Sequence, residues 1–176
     1  MLWGIVLTYF LTVPVSILGS AFPESKSEPL SNADRESLLK VAVDLRTAIL
    51  REDINGILQH VSTSQGLSCT DTQYSYQEVK KDLHNKNSHL YICLFDTVGF
   101  SKMCGHQYPA EYPAISDKEF FSKAEYEPIE IKSMKVGWAI VTYTSKTRGH
   151  YPREYTFHKE QGEWKLTYGV IIGSCG

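Results

Sequence analysis

The sequence predicts an α+β fold in which helices come first and a curved antiparallel sheet follows. Three observations support this prediction. Apolar residues recur at helical spacing between positions 38 and 49. Two serine–glutamate pairs, at 75/78 and 116/119, mark later helix starts. Apolar and polar residues then alternate along 136–170, as in half-buried strands.

The first helix is predicted from an apolar stripe with i, i+3, i+4, i+7 spacing. The stripe consists of Leu38, Val41, Ala42, Leu45, Ala48 and Ile49. Ser31 or Asn32 precedes it as an N-cap, and Asp34 favours the first turn through the helix dipole. A second, shorter helix is predicted over 53–61, after a break near Arg51 and Glu52.

Two capping boxes predict the next helix starts. Ser75 with Glu78, and Ser116 with Glu119, each allow the serine to accept the N3 amide while the glutamate reaches back to the cap. Helices are therefore expected over 76–84 and 117–124.

The segment between these two helices is ambiguous in sequence. The apolar run 90–95 is too short to classify, and either extends the preceding helix or begins a strand. Residues 96–114 are rich in Gly, Pro, Tyr and His, and we expect them to form a long surface loop of the kind that often carries function.

The C-terminal part reads as an antiparallel meander. Alternation over 136–143, 154–158 and 164–170 predicts three strands, and Gln161-Gly162 predicts the turn between the last two. Ile129 and Ile131 suggest a further strand before them.

Two segments of the chain resemble the NTF2-like, or cystatin-like, α+β roll. They are the opening ESLLKVAVDLRTAILREDINGILQHV (36–61) and the closing hairpin REYTFHKEQGEWKLTYGVI (153–171). The resemblance implies a cone, formed by a sheet wrapped around helices, with a pocket at its open end. Residues 86–125 depart from the pattern as an inserted loop and an extra helix.

This resemblance implies several kinds of function. Members of the superfamily include isomerases, dehydratases, cyclases, ligand binders and scaffolds without activity, so the fold does not choose among them. Sheet faces in the superfamily often dimerise, which makes a homodimer one expectation for the partner of this chain.

The N-terminus predicts export. Residues 1–22 carry no charge, and an apolar run from Leu2 to Leu18 is followed by the small residues Gly19, Ser20 and Ala21. This is typical of a signal peptide cleaved after Ala21, with an uncleaved membrane anchor as the alternative. The predicted organisation is signal peptide 1–21, tether 22–30 and one NTF2-like domain 31–176, in a periplasmic, cell-surface or extracellular protein.

Four cysteines are available for disulfides in an exported protein: Cys69, Cys93, Cys104 and Cys175. Three complete pairings exist, and the sequence does not choose among them. One of them, Cys104–Cys175 with Cys69–Cys93, would join the loop to the C-terminal tail and bracket the helix after Ser75. Buried free thiols are the alternative, most of all for Cys93 in its apolar run.

Composition excludes some functions. Charged residues make up 22% of the chain and the net charge is −2, without the basic balance of a nucleic-acid binder. Neither the Cys104-Gly105-His106 grouping nor the pair His84/His89 has the spacing of a structural zinc site. No nucleotide or phosphate-binding motif occurs, so neither a metal nor a cofactor is predicted.

Two hypotheses for function follow. The first is an exported, non-catalytic binding module that recognises a small apolar ligand or a protein partner through the cone mouth and the 96–114 loop. Its binding residues would be His106, Tyr108, Tyr112 and Trp138. The second is a small enzyme of the isomerase or dehydratase type, with Asp96 or His158 as its acid–base residue.

Overall fold

The computed structural model describes residues 29–69, 72–109, 112–123, 129–145 and 152–170. The α-helices there are α1 (Asn32–Arg51), α2 (Ile54–His60), α3 (Tyr76–Leu83), α4 (His89–Phe95), α5 (Thr97–Cys104) and α6 (Asp117–Lys123), and a 3₁₀ turn covers Gly105–Gln107. The strands are β1 (Leu67–Cys69), β2 (Thr72–Tyr74), β3 (Glu130–Lys135), β4 (Trp138–Tyr143), β5 (Arg153–Glu160) and β6 (Glu163–Val170).

The first two helices form as predicted. The Ser31 side chain accepts the amide of Asp34 at 3.1 Å and caps α1. Its buried face is the predicted stripe, apart from the half-buried Val41: Leu38, Ala42, Leu45, Ala48 and Ile49. Glu52 ends α1 in the left-handed conformation (φ 52°), and Asp53 then caps α2 by accepting the amide of Gly56 at 2.9 Å.

Both capping serines begin a helix. At α3 the box is complete, since Ser75 accepts the amide of Glu78 and the Glu78 carboxylate accepts the amide of Ser75 at 2.8 Å. This helix ends one residue before its predicted boundary. At α6 the Ser116 hydroxyl accepts the amide of Glu119 at 3.3 Å, and the helix begins at Asp117 as predicted.

Most of the described segment between these helices is helical. The run 90–95 is neither a strand nor an extension of α3, but lies in a separate helix that Ser88 caps. The prediction of a long surface loop over 96–114 is wrong for 97–107. Asp96 accepts the amide of Gly99 at 3.0 Å and begins α5, whose residues Phe100 and Cys104 are buried.

Within the described residues, the sheet has six strands in the order β2-β1-β6-β5-β4-β3. The predicted meander β3–β6 is antiparallel throughout, and positive φ at Gln161 and Gly162 forms its last turn. The short strands β1 and β2 were not predicted. They extend the sheet because β1 pairs with β6 in parallel, with Ser68 opposite Tyr168, so the sheet is mixed.

One face of the sheet packs on the helices. Along β5, Arg153, Tyr155 and Phe157 point inward, and Trp164 and Leu166 do so on β6. The hydroxyl of Tyr143 on β4 donates to the carbonyl of Ala42 on α1 at 2.7 Å, which ties the two layers together. A smaller cluster of Cys93, Phe100, Cys104 and Ala114 packs beside this main core.

Several predictions fall outside the described residues. They concern the signal peptide and its cleavage after Ala21, most of the tether, and Cys175. Leu30, at the end of the predicted tether, packs against the main core. Among the helices that are described, none is long and apolar enough to cross a membrane.

Candidate functional site

The interior of the cone is almost filled by side chains. The cavity that remains measures about 20 Å³, which is the space of about one water molecule. It is lined by Leu45, Ile49, Ile57, Leu67, Leu83, Leu90, Leu94, Asp117, Tyr155, Leu166 and Gly169. The pocket that the family resemblance implies is therefore closed to any organic ligand in this conformation.

The helices between β2 and β3 close the cone. Leu83 ends α3, and Leu90 and Leu94 lie on α4; all three are buried and line the cavity. The last two come from the part of the chain predicted to be an insertion. The insertion thus supplies core residues in place of an open binding loop.

A buried ionic cluster lies beside this cavity. Asp117, at the start of α6, accepts Nε–H of Arg153 at 2.8 Å and the hydroxyl of Tyr155. Nη2 of Arg153 also donates to the carbonyl of Ile115 at 2.9 Å, and its guanidinium lies over the ring of Phe120. The charge of Arg153 is therefore matched by groups inside the core.

Burial governs the protonation of this cluster. Desolvation raises the pKa of Asp117, and the opposing effects of Arg153 and the Tyr155 hydroxyl are smaller. Burial, reinforced by the nearby Asp117 carboxylate, also raises the pKa of Tyr155. An acid–base pair of this kind could act in catalysis, but only on a substrate that enters the cone.

The sequence contains one signal for this cluster, which is the position of Arg153. Arg153 is in phase with Tyr155 and Phe157 on the inward face of β5. A charged side chain at a core position requires a buried partner. In the sequence, Asp117 is only the first residue of the helix predicted over 117–124, and no spacing rule connects it to Arg153, which follows 36 positions later.

The two predicted acid–base residues lie elsewhere. Asp96 acts as the helix cap of α5 and is not in the cone. His158 points to the outer face of the sheet, where its side chain is 26% exposed. Neither residue occupies the position that the enzyme hypothesis requires.

The predicted binding residues divide between two places. Tyr108 packs edge-on against Phe100 in the small second core, and His106 is exposed in the 3₁₀ turn. Tyr112 is half-buried just after the same segment. Trp138 instead lies on the outer face of the sheet, where its ring stacks on His158 with centroids 4.4 Å apart.

Trp138 forms one wall of an open groove on this outer face. We call it the outer groove; its volume is about 390 Å³, and it is lined by Gln65, Ser68, Gln73, Trp138, Thr167 and Tyr168. Register explains the assembly, since Gln73, Ser68 and Tyr168 lie side by side on β2, β1 and β6. The sequence did not indicate this groove, because half of its lining comes from the unpredicted segment 65–73.

Hydrogen bonds fix the groove's polar wall. Nε2 of Gln73 donates to the carbonyl of Gln65 at 2.6 Å, and Nε2 of Gln65 lies 2.9 Å from Nδ1 of His158. Nζ of Lys135 lies 4.6 Å from the centre of the Trp138 ring. Gln65, Gln73 and Trp138 are thus oriented by their neighbours. None of the side chains that line the groove is charged.

A serine, a histidine and a glutamate lie close together next to this groove without forming a nucleophilic triad. Ser62 donates its hydroxyl directly to Glu160, and Ser64 does so at 2.9 Å. Nδ1 of His158 is 3.9 Å from the same carboxylate oxygen. In this arrangement both serines donate to the carboxylate and neither donates to His158, so the Ser–His–carboxylate order of a triad is absent from these three groups.

The cysteines are only partly described. Cys93 is a thiol buried in α4, so a disulfide at this position is wrong and the buried-thiol alternative is correct; its side chain faces the small second core. Cys104 is disulfide-bonded, and its partner is not among the described side chains. Within the described part of the chain, no three His, Cys, Asp or Glu residues are grouped to hold a metal ion.

No protein-family model and no curated protein matches this chain. Solved structures do match it in fold. A protein of unknown function with a cystatin-like fold from Nostoc punctiforme shares 10% identity at a TM-score of 0.46, over 81% of this chain and 92% of its own.

Two further matches carry functional words in their names. A putative dehydratase of the NTF2-like family from Streptomyces avermitilis shares 11% identity at a TM-score of 0.42, over 78% of this chain and 94% of its own. A ketosteroid isomerase-like protein from Erwinia carotovora atroseptica shares 18% identity at a TM-score of 0.40, over 80% of this chain and 95% of its own. Each of these matches is a similarity of fold, and it agrees with the fold that the sequence predicts.

Proposed function

We propose that this protein is an exported, non-catalytic binding module that recognises its ligand through the outer groove beside Trp138. One observation carries the proposal. The cone has room for about one water molecule, whereas the outer groove has a volume of about 390 Å³. Small-molecule sites typically measure about 300–1,000 Å³, so the outer groove is of a suitable size and the cone is not. Two other surface grooves, of about 520 and 550 Å³, also fall in this range, but both are lined by charged side chains, whereas the lining of the outer groove is neutral.

The chemistry of the groove supports binding over catalysis. Its lining offers amides, hydroxyls and aromatic rings, and includes no carboxylate, histidine, lysine or cysteine among the described residues. General acid–base catalysis most often uses such groups, and a serine or threonine nucleophile needs one of them beside it as a base. His158 lies behind the wall, stacked on Trp138 and next to Gln65, so it supports the shape of the groove.

Export rests on the N-terminal sequence, with the disulfide at Cys104 in agreement. Disulfides persist in oxidising compartments. Intact mass measurement of protein recovered from its own export compartment tests this part of the proposal. A chain that starts at Phe22 supports it, and an uncleaved Met1 contradicts it.

Fragment mapping tests the choice of site. A library of small neutral fragments is added to the protein. Two-dimensional NMR then measures the shifts of the Trp138 indole and of the Leu83 and Leu94 methyl groups. We expect fragments to shift the indole of Trp138 and to leave the leucine methyls unmoved. Fragments that shift the leucine methyls first would contradict the proposal, because they would show that the cone is the better site.

The enzyme hypothesis remains the second candidate because of Asp117. A carboxyl of raised pKa beside a tyrosine hydroxyl at an apolar cavity is a plausible acid–base pair. It would act only if α3 and α4 moved to admit a substrate. The same NMR experiment distinguishes it, since fragments would then enter the cone and Asp117→Asn would weaken their binding.

A further inference from the structure

We infer that the outer groove binds a sugar ring of a neutral oligosaccharide. This inference rests on the proposed function and adds the chemical class of the ligand. The groove combines two aromatic side chains, Trp138 and Tyr168, with the amides of Gln65 and Gln73 and the hydroxyl of Ser68. Each of these features suits a ligand that is covered with hydroxyls, has C–H faces and carries no charge.

The polar wall has hydrogen-bonding capacity left over. Gln73 uses one amide hydrogen on Gln65, and Gln65 uses its Nε2 on His158, so both Oε1 atoms have no partner among the described residues. The hydroxyls of Ser68 and Tyr168 likewise have none there. Amides and hydroxyls both donate and accept, which matches sugar hydroxyls that must do both.

The aromatic wall offers an apolar surface. Tyr168 is half-buried, and its ring stacks on no other ring in the described structure. It lies beside Ser68 and Gln73 in one row across three strands, so a ring seated on it reaches both polar neighbours. Tyrosine suits this role because it buries a large apolar face and keeps a hydroxyl at its tip.

The charges around the groove argue for a neutral ligand. Nζ of Lys165 is 2.7 Å from the carboxylate of Glu163, and Lys135 lies over the ring of Trp138. Among the described residues, no cation lines the groove to recognise a carboxylate, sulfate or phosphate, and no anion lines it to recognise an amine. A charged ligand would lose its hydration there without meeting an opposite charge among the residues that line the groove.

The test uses the exported protein and four tetrasaccharides as probes. Three are neutral: the oligomers of β-1,4-glucose, α-1,4-glucose and N-acetylglucosamine. The fourth is anionic tetragalacturonate. Isothermal titration gives the Kd, and the NMR shift of the Trp138 indole reports the site.

We expect at least one neutral probe to bind and to shift the Trp138 indole, while the anionic probe binds at least tenfold more weakly. Tyr168→Ala and Gln73→Ala should each raise the Kd for the neutral probe by at least tenfold. Tyr168→Phe keeps the aromatic ring, so its affinity for the neutral probe should fall less than that of Tyr168→Ala. Gln77→Ala is the matched control, because Gln77 is exposed on α3 and lies outside the groove lining; its affinity should be unchanged.

Four results would overturn the inference. If fragments bind at Trp138 but no neutral tetrasaccharide does, the sugar class is wrong and the proposed function survives. If neither binds there, both are wrong. Stronger binding of tetragalacturonate, or self-association that buries Trp138, would also reject a neutral sugar. Thermal unfolding of each variant confirms that it is folded.

Discussion

Arg153 Nε lies 2.8 Å from Oδ1 of Asp117, and both side chains are almost completely buried, with 3% and 1% of their surfaces exposed. The pair joins β5 to the start of α6 beside the closed cone. Since a buried charge without a partner is strongly unfavourable, each residue explains why the other is tolerated in the core.

Removal of one member of this pair should destabilise the protein strongly. Asp117→Ala leaves the guanidinium of Arg153 buried without its carboxylate, and we expect the free energy of unfolding to fall by about 3–5 kcal/mol. The double variant Asp117→Leu/Arg153→Met removes both charges and should lose less stability than Asp117→Ala. Urea unfolding measures both, and a double variant less stable than Asp117→Ala would contradict this account.

Gly66 and Gly162 provide a second, matched comparison. Both have positive φ, at +70° and +90°, but a Cβ on Gly66 would lie 1.9 Å from the carbonyl oxygen of Tyr74, whereas nothing lies within 4 Å of one on Gly162. Gly162→Ala should therefore cost only the backbone strain of about 1–2 kcal/mol. Gly66→Ala should cost more, because the segment leading into β1 must shift.

The same unfolding measurement ranks the two glycine variants. Gly66→Ala should also weaken any ligand of the outer groove, since Gln65 and Ser68 flank this position. Equal stability of the two variants would show that β1 and β2 adjust freely, and would contradict a fixed groove.

Local signals were enough to predict most of the fold. The apolar stripe of α1, the capping serines at 75 and 116 and the turn at Gln161-Gly162 each specify structure through neighbours a few residues away. The 97–107 segment was mispredicted because its glycines and polar residues suggest a loop. Burial of Phe100 and Cys104 in a tertiary cluster outweighs that preference.

The site was harder to predict because it depends on contacts between distant segments. The outer groove joins Gln65 and Gln73 to Trp138 and Tyr168 through a parallel pairing of only one register position. Strands of three residues leave no periodic pattern in a sequence. Trp138 could be chosen as a binding residue from its type, but its neighbours could not.

His60 should make the stability of the protein depend on pH. Burial lowers its pKa below the ordinary value of 6.5; Asp44 opposes this effect, and Lys165 and Lys40 reinforce it. Between the folded pKa and 6.5, the unfolded state binds more protons than the folded state. Stability therefore rises with pH through this interval and is lost as the pH falls from about 6.5 towards the folded value.

Urea unfolding between about pH 5 and pH 8 covers the range in which histidine titrates and measures this dependence. His60→Gln should remove the part of the slope that belongs to His60. His106→Gln is the control, because His106 is exposed, and it should leave that part of the slope in place. If the wild-type slope persists in His60→Gln and disappears in His106→Gln, the pH dependence does not come from His60 and this prediction is contradicted.

The two described cysteine states predict a distinct pattern of alkylation. Cys93 is a thiol but only 2% exposed, so iodoacetamide should not modify it in the folded protein and should do so after unfolding without reductant. Cys104 should react only after unfolding and reduction. Peptide mass spectrometry reads both sites, and modification of Cys104 without reductant would contradict its disulfide.

Enlarging the cone tests whether it is filled as the structure shows. Leu83 is fully buried and lines the cavity, so Leu83→Ala should destabilise the protein by about 2–5 kcal/mol. Leu39→Ala is the matched control, since Leu39 is 41% exposed on α1. The stability of this control should change by no more than about 0.5 kcal/mol.

The enlarged apolar cavity of Leu83→Ala should stay dry and accept benzene or xenon, as engineered leucine cavities do. NMR shifts of the cavity methyl groups under xenon pressure report this binding. The wild-type protein should show none, because about 20 Å³ is too little space for the gas. Wild-type binding equal to that of Leu83→Ala would mean that the cone is open in solution, and the choice of the outer groove over the cone would then lose its main support.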